Sequence, residues 1–222
     1  LPVLSEIPLK EWQVMSCKAR ISPIGLAFAL FAACLGSSLG QGVKVGGPAP
    51  AFTATDSNGK TETLNQYRGK FVVLEWHNQG CPYTKKHYST GNMQALQKEW
   101  TAKGVVWLTV ISSAPGQEGY VTASQENAYL KQSHAAPSSV LLDPEGKVGR
   151  LYDAKTTPQM VVIDPAGKVI YDGAIDDKPT TDSEDVKGAR NYLSEALSAA
   201  LAGKPVPTPY TRPYGCSVKY AN

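Results

Sequence analysis

Apolar positions along residues 41–203 recur with two different periods. Phe71 to His77 (FVVLEWH) and Val105 to Ile111 (VVWLTVI) are almost continuous apolar runs, as expected of central strands covered on both faces. Between them Met93, Leu96 and Trp100 stand at helical spacing, which predicts one helix from Pro82 to Ala102, ended by Gly104. Ala51 to Thr55 and Thr61 to Leu64 flank Ser57-Asn58-Gly59-Lys60, where Asn-Gly marks a tight hairpin. Thr122 to Ser133 predicts a helix, Val140 to Leu142 a short strand and Lys147 to Tyr152 a helical turn. Met160 to Asp164 and Lys168 to Asp172 form a second hairpin around Pro165-Ala166-Gly167. Asp185 to Leu201 carries Val186, Ala189, Leu193, Ala196, Leu197 and Ala200 on one helical face, with Gly203 placed to stop it. This order predicts an α/β domain with a central mixed sheet flanked by helices. The remainder, 204–222, has closely spaced prolines that favour an extended path. Tyr210, Tyr214 and Tyr220 are its expected anchors.

Residues 1–40 differ from the rest. Lys18 and Arg20 precede the apolar stretch Ile21 to Leu35, and small residues follow to Gly40; that order is the signature of a secretory signal peptide, with cleavage expected after Gly40. Met15 is a candidate start. Two alternatives keep the domain exported but attached: an uncleaved anchor, and a lipoprotein box Phe31-Ala32-Ala33-Cys34 acylated at Cys34. The apolar core of about 12 to 15 residues falls short of the roughly 20 that a membrane span needs. With 22 basic against 19 acidic residues and no long run of one sign, nucleic acid is not an expected partner. Removal of 1–40 takes Cys17 and Cys34 with it, leaving Cys81 and Cys216. In an oxidising compartment such a pair is either a structural disulfide or a redox couple.

Cys81 stands where an apolar strand gives way to a helix whose first residue is Pro82, so it is the expected N-cap. Unpaired amides and the helix dipole favour a thiolate there, lowering its pKa from about 8.5 and making it nucleophilic near neutrality. Lys85 and Lys86 add to that field. An inert buried thiol or half of a static disulfide is the alternative. Far away in sequence, Thr157-Pro158 immediately precedes an apolar strand, where proline demands an edge or a special turn.

The Gly-Cys-Pro-x-Thr segment and the stretch Thr-Pro-x-x-Val-Val-Ile-Asp-x-x-Gly-Lys-Val at 157–169 resemble the thioredoxin superfamily. More narrowly, they resemble its exported redoxin group, the alkyl hydroperoxide reductase and thiol-specific antioxidant (AhpC/TSA) proteins, over roughly residues 47–202. The resemblance implies a thioredoxin-like fold in which Pro158 is cis, faces Cys81, and leaves the Thr157 backbone free for a bound thiol or peptide. It also implies that Glu75 is the buried acid that handles a proton, with burial raising its pKa. Trp76, Pro82, Thr157 and Pro158 are the candidate substrate-binding residues.

The second cysteine of C-x-x-C is Thr84 here, so no local disulfide forms; Thr84 either donates to the thiolate or satisfies the helix terminus. The peroxide-reacting cysteine of peroxiredoxins is missing at that same position, and Asn78 stands where its accompanying threonine would be counted from Cys81. The remaining candidate is Cys216, which either resolves an oxidised Cys81 or staples the tail permanently, with Gly215 allowing close approach. His77, His87 and His134 with the cysteines suggest a copper site, but the C-x-x-x-C of copper chaperones is lacking at Lys85. No metal or other cofactor is expected. The expected activity is thiol-disulfide exchange through Cys81, Thr84, Glu75 and Cys216, with protein thiols or disulfides and an external thiol reductant as partners. Peroxide reduction and a non-catalytic binding module are the competing functions.

Overall fold

The computed structural model describes residues 43–221; the segment expected to be a signal peptide, with Cys17 and Cys34, lies outside the described residues. The domain is built on a seven-stranded mixed sheet in the order β2-β1-β5-β4-β3-β7-β8. Its strands are β1 (Thr53–Asp56), β2 (Thr61–Thr63), β3 (Val72–Trp76), β4 (Val106–Ile111), β5 (Ser139–Leu142), β7 (Gln159–Ile163) and β8 (Val169–Gly173). Central β3 pairs in parallel with β4, Val72 opposite Val106, and antiparallel with β7, Val72 opposite Ile163. The two apolar runs are therefore neighbours in the middle of the sheet. Every residue of both strands is buried.

Side chains alternate across a strand, and β3 divides its residues accordingly. Val72, Leu74 and Trp76 enter one core with Tyr152 and Val148, which is on α4 (Lys147–Leu151). Val73 enters the other, covered by α1 (Pro82–Ser89), α2 (Asn92–Ala102) and α5 (Tyr192–Leu201). Helix α3 (Ala123–Ser133) connects β4 to β5 and ends at His134, whose φ is 55°. No helix among the described residues is long and apolar enough to cross a membrane.

Three features depart from the sequence reading. The helix expected over 82–102 is broken: Gly91 adopts φ 74° and its N–H bonds Tyr88 O at 3.2 Å. That left-handed turn suits glycine, which has no Cβ to clash there, and it lets α2 restart in a new direction. The last helix begins seven residues later than expected. Ser183–Gly188 forms a 3-10 turn, residues 189–191 leave it, and Asn191 caps α5 by accepting from Ser194 N–H at 2.8 Å. Reciprocal bonds between Asp177 and Arg190 hold the break: Asp177 N–H donates to Arg190 O at 3.1 Å, and Arg190 N–H to the Asp177 carboxylate at 2.9 Å.

The third departure is a second, two-stranded sheet. β6 (Thr156–Thr157) pairs antiparallel with β9 (Cys216–Ser217), Thr156 opposite Ser217 and Thr157 opposite Cys216. The tail is therefore tied across the domain. Thr211 N–H donates to Asp172 O at 3.1 Å, Val218 N–H to Lys155 O at 2.9 Å and Ala114 N–H to Lys219 O at 2.8 Å. Tyr220 Oη donates to Ala154 O at 2.8 Å. Tyr210 is not an anchor, because its side chain is 59% exposed and the segment is held through its backbone.

Candidate active site

The chain leaves β3 through His77 and Asn78, and the turn that follows is closed by Asn78. Its Oδ1 accepts from Gly80 N–H at 2.8 Å and its carbonyl from Cys81 N–H at 3.1 Å. Cys81 is then the N-cap of α1 in extended geometry, φ −67° and ψ 123°, with Pro82 at the first helical position. The sulfur forms no capping hydrogen bond as a neutral thiol, although the Thr84 N–H is placed to favour its ionised form. It faces Thr157, where the thiol donates to the backbone carbonyl at 3.0 Å. The Thr157-Pro158 bond is cis.

Cys216 lies opposite Thr157 in β9 and reaches the same sulfur. Burial pushes the Cys81 thiol up, but hydrogen bonds from Cys216, from the Thr157 side chain and from the Thr84 backbone N–H outweigh it and hold it below the ordinary thiol range. Ionisation therefore exchanges the bond donated to the Thr157 carbonyl for several accepted ones. Cys216 shifts the other way, pushed up to about 12 by burial and by its bond to Cys81. Of the two sulfurs Cys81 is the more readily ionised, and Cys216 keeps its proton to higher pH. Both are free thiols.

The Cys216→Ala protein is expected to titrate Cys81 at higher pH than wild type, because the leading donor to the anion is gone. Thiolate ultraviolet absorbance followed against pH measures this; an unchanged or lower midpoint would show that Cys216 does not stabilise the anion.

Close approach of the two strands depends on Gly215. Its φ is 143°, and a Cβ there would lie 2.1 Å from the Thr157 carbonyl oxygen. The tail thus covers Cys81, which is 0% exposed.

Several expected roles change. Trp76 is fully buried in the core facing α4, and its indole N–H donates to Ser112 Oγ at 3.2 Å; strand alternation turns it away from any substrate. The Thr84 hydroxyl is buried with no hydrogen-bond partner among the described residues, so the Thr84 amide, not its side chain, meets the sulfur. The Thr157 backbone is not free, since β9 occupies it. Pro82 is exposed, and Pro158 is buried beside the cysteine pair's strand edge. Lys85 is exposed, and Lys86 is turned away onto the tail.

Glu75 is fully buried, but its pKa moves opposite to expectation. Burial pushes it up, while His77 at 3.7 Å and the bonds donated by Tyr88 and Trp107 outweigh that and keep the carboxyl below its usual range. Tyr88 Oη donates at 2.7 Å, Gln97 Nε2 at 3.1 Å, Trp107 Nε1 at 2.7 Å and Thr109 Oγ1 at 3.1 Å. A buried charge so fully bonded is held by its surroundings. Through Tyr88 it fastens α1, the helix that Cys81 begins, onto β3. None of its hydrogen bonds runs to Cys81.

The histidines are dispersed. His77 packs on the rings of Tyr88 and Tyr129 at 4.8 and 5.4 Å, His87 lies in a separate polar cluster against the tail, and His134 ends α3. Among the described residues no group of three or more His, Cys, Asp or Glu side chains is placed to hold a metal ion.

That cluster escaped the sequence reading altogether. Lys86, His87 and Asp176 are 1%, 0% and 2% exposed and surround the hydroxyl of Tyr214. Its one sequence signal was a Lys-His pair on the inward face of a helix.

The fold has known counterparts. The chain is similar to an uncharacterized conserved protein from Geobacillus kaustophilus, with 24% identity over 82% of this chain and 94% of that one and a TM-score of 0.69. A hypothetical protein from Sinorhizobium meliloti matches with 22% identity over 81% of this chain and 96% of that one, TM-score 0.66. A putative protein disulfide isomerase from Bacteroides thetaiotaomicron matches with 22% identity over 72% and 94%, TM-score 0.51. These likenesses establish the thioredoxin-like fold. No curated protein matches the chain. The family model of AhpC/TSA matches residues 45–172, a span from before β1 to β8 that includes Cys81 and the Thr157-Pro158 turn, and the chain belongs to that redox family.

Proposed function

We propose that the chain is an exported thiol-disulfide oxidoreductase in which Cys81 is the nucleophile and Cys216 the resolving thiol. The observation that carries this reading is the pairing of a low-pKa and a high-pKa sulfur across the β6–β9 edge. Export rests on the pattern of residues 1–40.

The tail lies over Cys81, so it must first lift. The Cys81 thiolate then attacks one sulfur of a protein disulfide; a Cys81–substrate S–S bond forms, the substrate S–S bond breaks, and the departing thiolate takes a proton. When β9 returns, the Cys216 thiol gives up its proton and attacks Cys81. The Cys81–Cys216 bond forms, the mixed disulfide breaks and the second substrate thiol is released. Two electrons have passed from the two cysteines to the substrate. An external thiol reductant restores them.

Fully reduced protein mixed with excess of an unfolded disulfide-bonded polypeptide tests this. Peptide mapping by mass is expected to find Cys81 joined to Cys216 in proportion to the substrate disulfide reduced. Substrate reduced without any such linkage would remove Cys216 from the reaction; no reduction at all would remove the activity.

A further inference from the structure

The strand lying on the Cys81 edge carries its own anchoring side chain. Tyr214 and Cys216, on either side of Gly215, are both half-buried while Ser217 is exposed, and the Tyr214 hydroxyl and the Cys216 sulfur each reach a buried group of the domain. The Tyr214 hydroxyl enters the buried cluster between α1 and the segment after β8. It donates to Asp176 Oδ1 and receives Lys86 Nζ at 3.3 Å. Burial pushes the His87 pKa down to about 4, so its ring is neutral. Asn92 Nδ2 donates to Nδ1 at 2.9 Å, which leaves the ring proton on Nε2, 3.4 Å from the Tyr214 hydroxyl.

The rest of the phenol is held as well. Lys86 Nζ lies 5.2 Å from the ring centroid and the Tyr83 ring packs edge-on at 5.8 Å. Lys86 is itself fixed by a bond to Lys178 O at 2.7 Å. Beside Pro213-Tyr214-Gly215 an open groove of about 580 Å³ continues past Thr156 and Ala174, giving room for a longer segment. A side chain without the hydroxyl would leave buried Asp176 Oδ1 with only the Lys178 N–H at 3.0 Å and Lys86 Nζ without its phenol acceptor, so the site discriminates against it.

We infer that Lys86, His87 and Asp176 form a specificity subsite for a phenol two residues before a cysteine, and that the tail occupies it in place of substrate. The favoured substrate is an extended polypeptide of the pattern Tyr-x-Cys, lying along Thr156–Thr157 as β9 does. This inference rests on Cys81 being the nucleophile.

The full chain carrying Cys216→Ser is the test protein, because its tail competes equally with every peptide offered. The probe is the peptide Arg-Pro-Tyr-Gly-Cys-Ser-Val with its cysteine activated as a pyridyl disulfide, compared with versions holding Phe or Ala in place of its tyrosine. Cys81 displaces pyridinethiolate and joins the peptide sulfur, so the released chromophore gives the second-order rate. The tyrosine peptide is expected to react at least about tenfold faster than the phenylalanine one, and that advantage to vanish when Asp176→Ala is added. Equal rates for the three peptides in the Cys216→Ser protein would overturn the subsite, whether or not the Asp176→Ala variant folds. A small pyridyl disulfide is the control: if Cys81 fails to react even with it, the nucleophile assignment has failed, and the subsite falls with it.

Discussion

Disulfide reduction by the Cys81→Ser protein is expected to fall at least about a thousandfold below wild type. Serine fits the N-cap position as well as cysteine does, so the helix stays in place and the loss is chemical. A hydroxyl is a poor nucleophile where no base activates it, and it cannot form the S–S bond on which exchange depends. Cys216→Ser gives a different result. The first attack survives, one substrate thiol is released per chain, and the protein accumulates as a mixed disulfide at Cys81. Thiol release in a single turnover separates the two variants. A Cys81→Ser protein that reduces substrate at the wild-type rate would place the chemistry elsewhere.

Gly215→Ala is expected to act in the opposite sense on access. The added Cβ would meet the Thr157 carbonyl oxygen at 2.1 Å, and φ 143° already disfavours any side chain. Overlap of that kind costs about 2–4 kcal/mol when neither backbone can yield. Two short strands give no such reserve, so β9 lifts and Cys81 opens from complete burial. The population able to react rises by roughly 30-fold to several hundredfold.

One effect opposes this: losing the bond from Cys216 raises the Cys81 pKa. Alkylation rates compared at alkaline pH, where the thiol is ionised in both proteins, remove that contribution. There the Gly215→Ala protein is expected to be alkylated at Cys81 at least about tenfold faster. Equal rates would mean that the tail does not control access.

The middle of the sheet was readable in the sequence because its strands announce themselves. FVVLEW and VVWLTVI are buried on both faces, and no other element of a small α/β domain has that composition. Cys81 was readable for a local reason, since strand, glycine, cysteine and proline fix a helix start without help from distant residues. Long-range features were not. The β6–β9 pair consists of two residues on each side, too short for a period to register, and it exists because Gly215 lets two backbones approach closely. Trp76 looked available beside Cys81 in sequence, yet one strand step separates the face covered by α4 from the face covered by α1, α2 and α5. Glu75 was legible as buried but not as ionised, because its four donors come from α1, α2 and β4. Helix breaks at Gly91 and at residues 189–191 depend on a left-handed turn and on Asp177, and helical periodicity runs through both unnoticed.

Attachment of β9 to the same chain as Cys81 has a kinetic consequence. A covalently joined occupant behaves as though present at about millimolar level regardless of how dilute the protein is. Free polypeptides weaker than that are turned away, and dilution does not help them. On the proposed mechanism, closing the Cys81–Cys216 bond once a mixed disulfide has formed is, by the same connection, a first-order event that needs no second copy of the chain.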